Sequence, residues 1–225
     1  MIKKTFISVA ILIVVCCSIT SCNDKAKEAN TSNAEAAAVS KSTSEKFNVN
    51  IGESKIEWKG FKPTGTHTGT INLENGIFKT DDGKLQSGTF LIDMTSINVT
   101  DLEVGDGKED LEAHLKGSVE GKENHFFDVS KFPISEFEIT STESLAAGKT
   151  RLSGNLAIKG QKHNISFPIT ITNNNDVMTI ESEPFTIDRT KWGVNYGSKS
   201  IFDDLGDRFI NDEIELKITI KAKKA

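Results

Sequence analysis

The chain is expected to fold as an all-β domain of antiparallel strands, on three observations. Apolar and polar residues alternate with a period of two through most of the sequence after Phe47. Turn-forming residues break these runs at short intervals. Only Lys108 to Gly117 has helical spacing.

Taken in order, Ile56 and Trp58 open the alternation. Ile71 and Leu73, then Ile77 and Phe78, flank Asn75-Gly76, a dipeptide that predicts a hairpin. Asp81-Asp82-Gly83 predicts the next turn, and Phe90, Ile92 and Met94 the strand after it. Leu111 and Leu115, four apart among charged residues, predict a short surface helix flanking the sheet. A turn at Ala147-Gly148 leads to Leu152, Leu156 and Ile158, with Gly154 holding the phase. Gly160-Gln161-Lys162 turns the chain into Ile165, Phe167, Ile169 and Ile171, where Pro168 calls for an edge or a bulge. Asn173 to Asp176 marks a further turn, followed by Phe185 and Ile187. Ile214, Leu216, Ile218 and Ile220 complete the set. Each run has one dry face and one wet face. About eight such strands without a long helix leave a sandwich or a closed barrel. Closure removes the sheet edges, and an eight-stranded barrel either fills with side chains or holds one small ligand.

The N-terminus has a different composition. Lys3 and Lys4 precede an apolar run from Phe6 to Cys17, too short to span a bilayer, and the segment closes with Ile19-Thr20-Ser21-Cys22. This resembles a bacterial lipoprotein signal, which implies that residues 1–21 are removed and Cys22 becomes a lipidated N-terminus. An exported, lipid-anchored protein of the periplasm follows, with the outer membrane as the expected site. The segment 22–46 is dominated by Asn, Ser, Thr, Ala, Lys and Glu, and its one large apolar residue is Val39. It is expected to be a flexible linker, since it has too little apolar surface to offset its ordering entropy. A coil of that length spans roughly 27 Å. Residues 47–225 then form one domain, long enough to bury about 70% of its unfolded surface without staples.

Several chemistries are excluded. The three cysteines, Cys16, Cys17 and Cys22, all precede the domain, so disulfides, thiol catalysis and thiolate metal sites are not expected in it. The formal charge is −5, and an acidic chain without a basic stripe is a poor nucleic-acid binder. His67, His114, His125 and His163 show no metal-binding spacing. The acidic stretch from Asp101 to Glu112 puts Asp106 where a calcium loop requires glycine. Phosphate loops, dinucleotide fingerprints and serine-nucleophile elbows are absent. No catalytic residue, metal or cofactor is expected. Asp188-Arg189 is more consistent with a turn lock than with catalysis. The thirteen Phe, two Trp and one Tyr include Phe126-Phe127, Trp192 and Tyr196 near turns, where they can line an apolar pocket or plug the core.

The chain resembles the YceI-like family from about Phe47 onward. The resemblance rests on Trp58-Lys59-Gly60, His67-Thr68-Gly69, Gly88-Thr89-Phe90, Ile92 to Ile97, Leu111 to Leu115, Phe126 to Val129, Gly154 to Gly160 and Ile187 to Gly193. The link from Lys116 to His125 is longer than in many members. The resemblance implies a lipocalin-like antiparallel barrel whose apolar lumen takes an isoprenoid-type lipid, a quinone or polyprenyl chain. Trp58, Phe90, Ile92, Met94 and Phe137 would line that lumen. His67, Asp188, Arg189 and Tyr196 would lie nearer its mouth, and Trp192 is a further ligand-binding candidate. The expected protein is a membrane-tethered lipid binder or carrier, and a homodimer is compatible with the sequence. Two alternatives are a structural or partner-binding envelope module with a filled barrel, and an enzyme in which His67, His114 or Asp188 converge in a pocket.

Overall fold

The computed structural model describes residues 26–225. The strands, in chain order, begin with β1 (Lys27–Glu28), β2 (Asn30–Asn33), β3 (Glu45–Val49), β4 (Lys55–Lys62), β5 (Gly65–Asp81) and β6 (Lys84–Val99). After α1 (Lys108–Lys116) come β7 (Ile134–Ser144), β8 (Thr150–Ile158), β9 (Gln161–Asn174), β10 (Val177–Ser182), β11 (Phe185–Asp188) and β12 (Glu213–Lys224).

Eight of the strands close a ring in the order β4-β5-β6-β7-β8-β9-β10-β12, every neighbour antiparallel. Of the sandwich and the closed barrel that the alternation left open, the chain forms the barrel that the family resemblance implied. Closure depends on β12, which pairs with β4 on one side (Ile218 opposite Ile56, Leu216 opposite Trp58) and with β10 on the other (Ile220 opposite Ile180). β3 continues the β4 side of the ring, and β11 continues the β10 side. One end of the barrel, the mouth, carries the β4–β5 and β8–β9 turns, α1, and the long β11–β12 loop. The far end carries the β5–β6 and β9–β10 turns and the C-terminus.

The turn chemistry is mostly as expected. Asp82 and Gly83 both take positive φ, as do Lys159 and Gly160, so two-residue connections join β5 to β6 and β8 to β9. Asn75-Gly76 is a correction: β5 runs straight through it, with a bulge between Leu73 and Asn75. Gly76 serves close approach instead, because a Cβ there would lie 2.6 Å from Val49 Cγ2 on the adjoining β3. Pro168 lies where β9 exchanges partners, between the end of its pairing with β2 at Ser166 and the start of its pairing with β10 at Ile169. A missing N–H is tolerated at such a seam.

The expectation of a free linker over 22–46 is also corrected within the described residues. β1 pairs parallel to β11, and β2 antiparallel to β9 from Asn30 opposite Ser166 to Asn33 opposite His163. Ala29 N donates to Thr186 O at 2.8 Å, and the Ala29 side chain is only 4% exposed. The chain then crosses outward over the wall. Glu35 is held by Asn155, and Ala38 N donates to Ile139 O at 2.9 Å. The physical reason is an unfilled seam. Beyond Ser182 the chain leaves β9 and follows β12 as β11, leaving main-chain groups on both edges without partners. Residues 27–33 supply those partners through backbone, so the segment needs no apolar side chains to become ordered. Cys22 lies outside the described residues.

The lower half of the barrel is filled. A row of phenylalanines crosses it, from Phe47 stacked on Phe78 at 5.3 Å, through Phe90, Phe137 and Phe167, to Phe185 stacked on Phe167 at 4.1 Å. Gly154 makes the row possible: a Cβ at that position would meet Phe137 Cζ at 2.2 Å.

Candidate lipid-binding cavity

Above the phenylalanine row the barrel is hollow. The cavity measures about 420 Å³ and opens at the mouth, within the roughly 300–1,000 Å³ range of small-molecule pockets. Phe137, Phe167 and Phe185 form its floor. Its walls are the inward faces of β4, β6, β8, β9 and β12, represented by Ile56, Ile92, Leu156, Ile165 and Leu216. A void of about 50 Å³ lies lower, between Phe90, Leu73 and Ile180.

The sequence-predicted residues divide. Trp58, His67, Ile92, Met94, Phe137, Arg189 and Tyr196 all line the cavity. Phe90 lies beneath it, in the row and beside the smaller void. Trp192 is fully buried in the wall, its indole Nε1 donating to Leu156 O at 2.9 Å and its ring perpendicular to that of His163 at 5.3 Å. Asp188 caps a 3-10 turn over Arg189–Trp192, accepting from Thr190 N at 3.0 Å and Thr190 Oγ1 at 2.6 Å. These three are corrections: the alternation placed Phe90 inward but not its height, and the other two serve the turn and wall that shape the mouth.

Arg189 reaches the cavity but is committed elsewhere. Only 2% exposed, it donates from Nε to Asn211 O, from Nη1 to Val194 O and from Nη2 to Ile210 O. Burial lowers its pKa, while Asp212 and Asp188 oppose that shift. Three carbonyls held by one guanidinium fix the β11–β12 loop as a rigid part of the rim.

Sequence reasoning marked Phe126-Phe127 as able to line a pocket but took α1 only to flank the sheet. α1 contributes Leu111, His114 and Leu115 to the cavity, and the following loop folds back beneath it to add Phe126 and Phe127. Phe127 N donates to Leu115 O at 3.1 Å and Val129 N to Lys116 O at 2.9 Å, so the long link from Lys116 to His125 is bound to the helix. His114 Nε2 and His125 Nδ1 share a hydrogen bond of 2.8 Å. Tyr196 stacks on His125 at 4.0 Å, and Phe126 meets His114 edge-on at 5.1 Å. Burial, then the positive potentials of His125 and Lys122, lower the pKa of His114. The i, i+4 pair Leu111 and Leu115 was the available sign that α1 had an apolar face to bury.

The charged groups of the lining are confined to the rim, while Ser135 and the unpartnered Trp58 indole N–H lie on the wall. His67 Nδ1 meets Asp101 Oδ2 at 2.9 Å, and Asp101 Oδ1 accepts from Thr68 N at 2.8 Å. Partial burial pushes the Asp101 carboxyl up, but these hydrogen bonds outweigh it and hold its pKa below the ordinary range. Lys62 and Arg208 complete the basic side of the opening. No group of three or more His, Cys, Asp or Glu side chains among the described residues is placed to hold a metal ion.

Comparison with known proteins agrees with this architecture. The barrel is similar to Burkholderia cenocepacia BcnA, with a TM-score of 0.59 and 21% identity, covering 78% of this chain and 99% of that one. It is similar to a polyisoprenoid binding domain from Saccharophagus degradans, with a TM-score of 0.57 and 11% identity, covering 80% of this chain and 98% of that one. A YCEI protein from Campylobacter jejuni aligns with a TM-score of 0.50 and 18% identity over 69% of this chain and 84% of that one. No curated protein matches the chain. The YceI-like domain profile matches residues 33–222, which spans the barrel and the end of β2, and the chain belongs to the YceI-like family.

Proposed function

We propose that this protein is a membrane-tethered binder or carrier of an isoprenoid-type lipid, a quinone or polyprenyl chain whose hydrocarbon tail occupies the barrel cavity. The observation that carries the reading is the cavity itself: mostly apolar on its walls and floor, open at one end, with its charged side chains around the opening. The similarity to a polyisoprenoid binding domain supports the lipid class. Of the three residues the enzyme alternative named, His67 and His114 line the cavity but Asp188 is consumed by a turn, and binding asks nothing of it.

Energetics explains why a tether would matter. Each CH₂ leaving water gains about 0.8 kcal/mol, so a 20-carbon chain gains on the order of 16 kcal/mol, near the ceiling for noncovalent affinity. A ligand drawn from a bilayer is already dry, and its transfer into the cavity is close to neutral. Exchange is then feasible when the membrane is the other reservoir, and a lipid on Cys22 would keep that reservoir adjacent.

Organic extraction of protein purified from its native envelope, followed by mass spectrometry, tests the ligand. An isoprenoid-type lipid near equimolar with protein is expected; empty protein that also refuses quinone would overturn the reading. Cys22→Ser tests the anchor, with release from membranes expected and unchanged association counting against it.

A further inference from the structure

We propose that Ser135 is a head-group subsite inside the cavity: its hydroxyl donates to a carbonyl oxygen of a quinone ring that enters first, and the isoprenoid tail follows toward the mouth. This rests on the reading of the cavity as an isoprenoid chamber and names which guest suits it. Ser135 shares the inward parity of Phe137 and Ile139 on β7, and it lies opposite Ile92 on β6. The next inward side chain is Phe137, part of the floor, roughly 7 Å further along the strand. Ser135 is only 3% exposed, and it lines the cavity. Its hydroxyl has no hydrogen-bond partner among the described residues.

Such a group calls for a partner. A buried hydroxyl without one destabilises the fold, and alanine or valine would close this wall at lower cost. Water is a poor partner here, because it needs at least about two polar neighbours, whereas Ile92 and Phe137 flank the serine with hydrocarbon. The Trp58 indole N–H also lacks a partner, but its nitrogen has no open surface. Ser135 is therefore the hydrogen-bonding group of the wall that a guest can reach.

Two further features select the chemistry of that guest. The floor is aromatic: Phe167 lies flat on Phe185 at 4.1 Å, and Phe137 is tilted against Phe167 at 6.0 Å. A flat ring can stack on such a surface, while an isoprenoid tail draws nothing from it that aliphatic side chains would not supply. The cations of the lining, Lys62, Arg189 and Arg208, stand at the opening. A phosphate carried down to Ser135 would leave them behind and find one neutral donor, whereas a quinone carbonyl asks for no more than that. The ring then rests on the phenylalanine floor, and the tail fills the space above it.

Competition titrations on the full chain test this, with geranylbenzoquinone, geranylbenzene and geranyl phosphate each displacing a fluorescent naphthyl probe from the wild type and from Ser135→Ala. The variant should weaken geranylbenzoquinone about tenfold and geranylbenzene by less than about twofold. The infrared carbonyl band of bound quinone should lie lower in the wild type than in the variant, as a hydrogen-bonded carbonyl does. Equal effects on the two compounds, a carbonyl band that Ser135→Ala does not move, or geranyl phosphate outcompeting the quinone in the wild type overturns the proposal. Should geranylbenzene alone displace the probe, the subsite falls while the apolar chamber stands. Should none of the three displace it, the reading of the cavity falls as well.

Discussion

Asn155 holds the main chain of Glu35 at two points: its Oδ1 accepts from Glu35 N at 3.0 Å, and its Nδ2 donates to Glu35 O at 2.8 Å. Asn164 donates to the same Oδ1 at 3.2 Å and to Thr140 Oγ1 at 2.8 Å. Two buried amides on the outer face of β8 and β9 thus fasten the N-terminal segment to the wall. Asn155→Ala removes both bonds and leaves Asn164 with Thr140 alone, which should cost about 2–3 kcal/mol. A lowered urea midpoint, with earlier tryptic cleavage at Lys27 or Lys41, is the expected result.

Gly69 makes room for Trp58. A Cβ there would lie 2.1 Å from Asn98 O and 2.4 Å from the Trp58 ring. Gly69→Ala must push the indole toward the cavity or part β5 from β6, an overpacking cost of roughly 1–3 kcal/mol. Thermal unfolding combined with lipid loading should show reduced stability and reduced ligand together.

Filling the chamber should separate those two effects. Ile214 is half-buried, lines the cavity and faces Gly60 across the β12–β4 pair, where there is space. Ile214→Trp is expected to cut co-purifying lipid at least tenfold while shifting the melting temperature by only a few degrees. Unchanged lipid content would show that the ligand lies elsewhere.

The histidine pair predicts a pH dependence. Because the folded-state pKa of His114 lies below its ordinary 6.5, the unfolded chain takes up that proton more readily. Its contribution to stability is complete above about pH 6.5 and is lost as pH falls through the lowered value. The melting temperature should drop over that acid window in the wild type. In His114→Gln the drop should be smaller.

The fold was legible in the sequence because alternation survives wherever one face of a strand is wet: β12 was fully outlined by Ile214, Leu216, Ile218 and Ile220. Asn75-Gly76 misled because the signal for a tight turn and the need for a bare Cα beside Val49 call for the same residue. The strap from Lys27 to Asn33 was invisible because main-chain pairing leaves no hydrophobic mark. Among cavity residues, those on strands could be found by parity. His114 could not, and Phe126 was marked only as an aromatic near a turn, since the folding back of residues 118–133 is what sets it against His114.

The phenylalanine row has one more consequence. It turns the barrel into a cul-de-sac, so a guest must back out through the doorway by which it arrived, and a successor must wait until the berth is vacant. Any tail longer than the berth leaves its excess trailing outside.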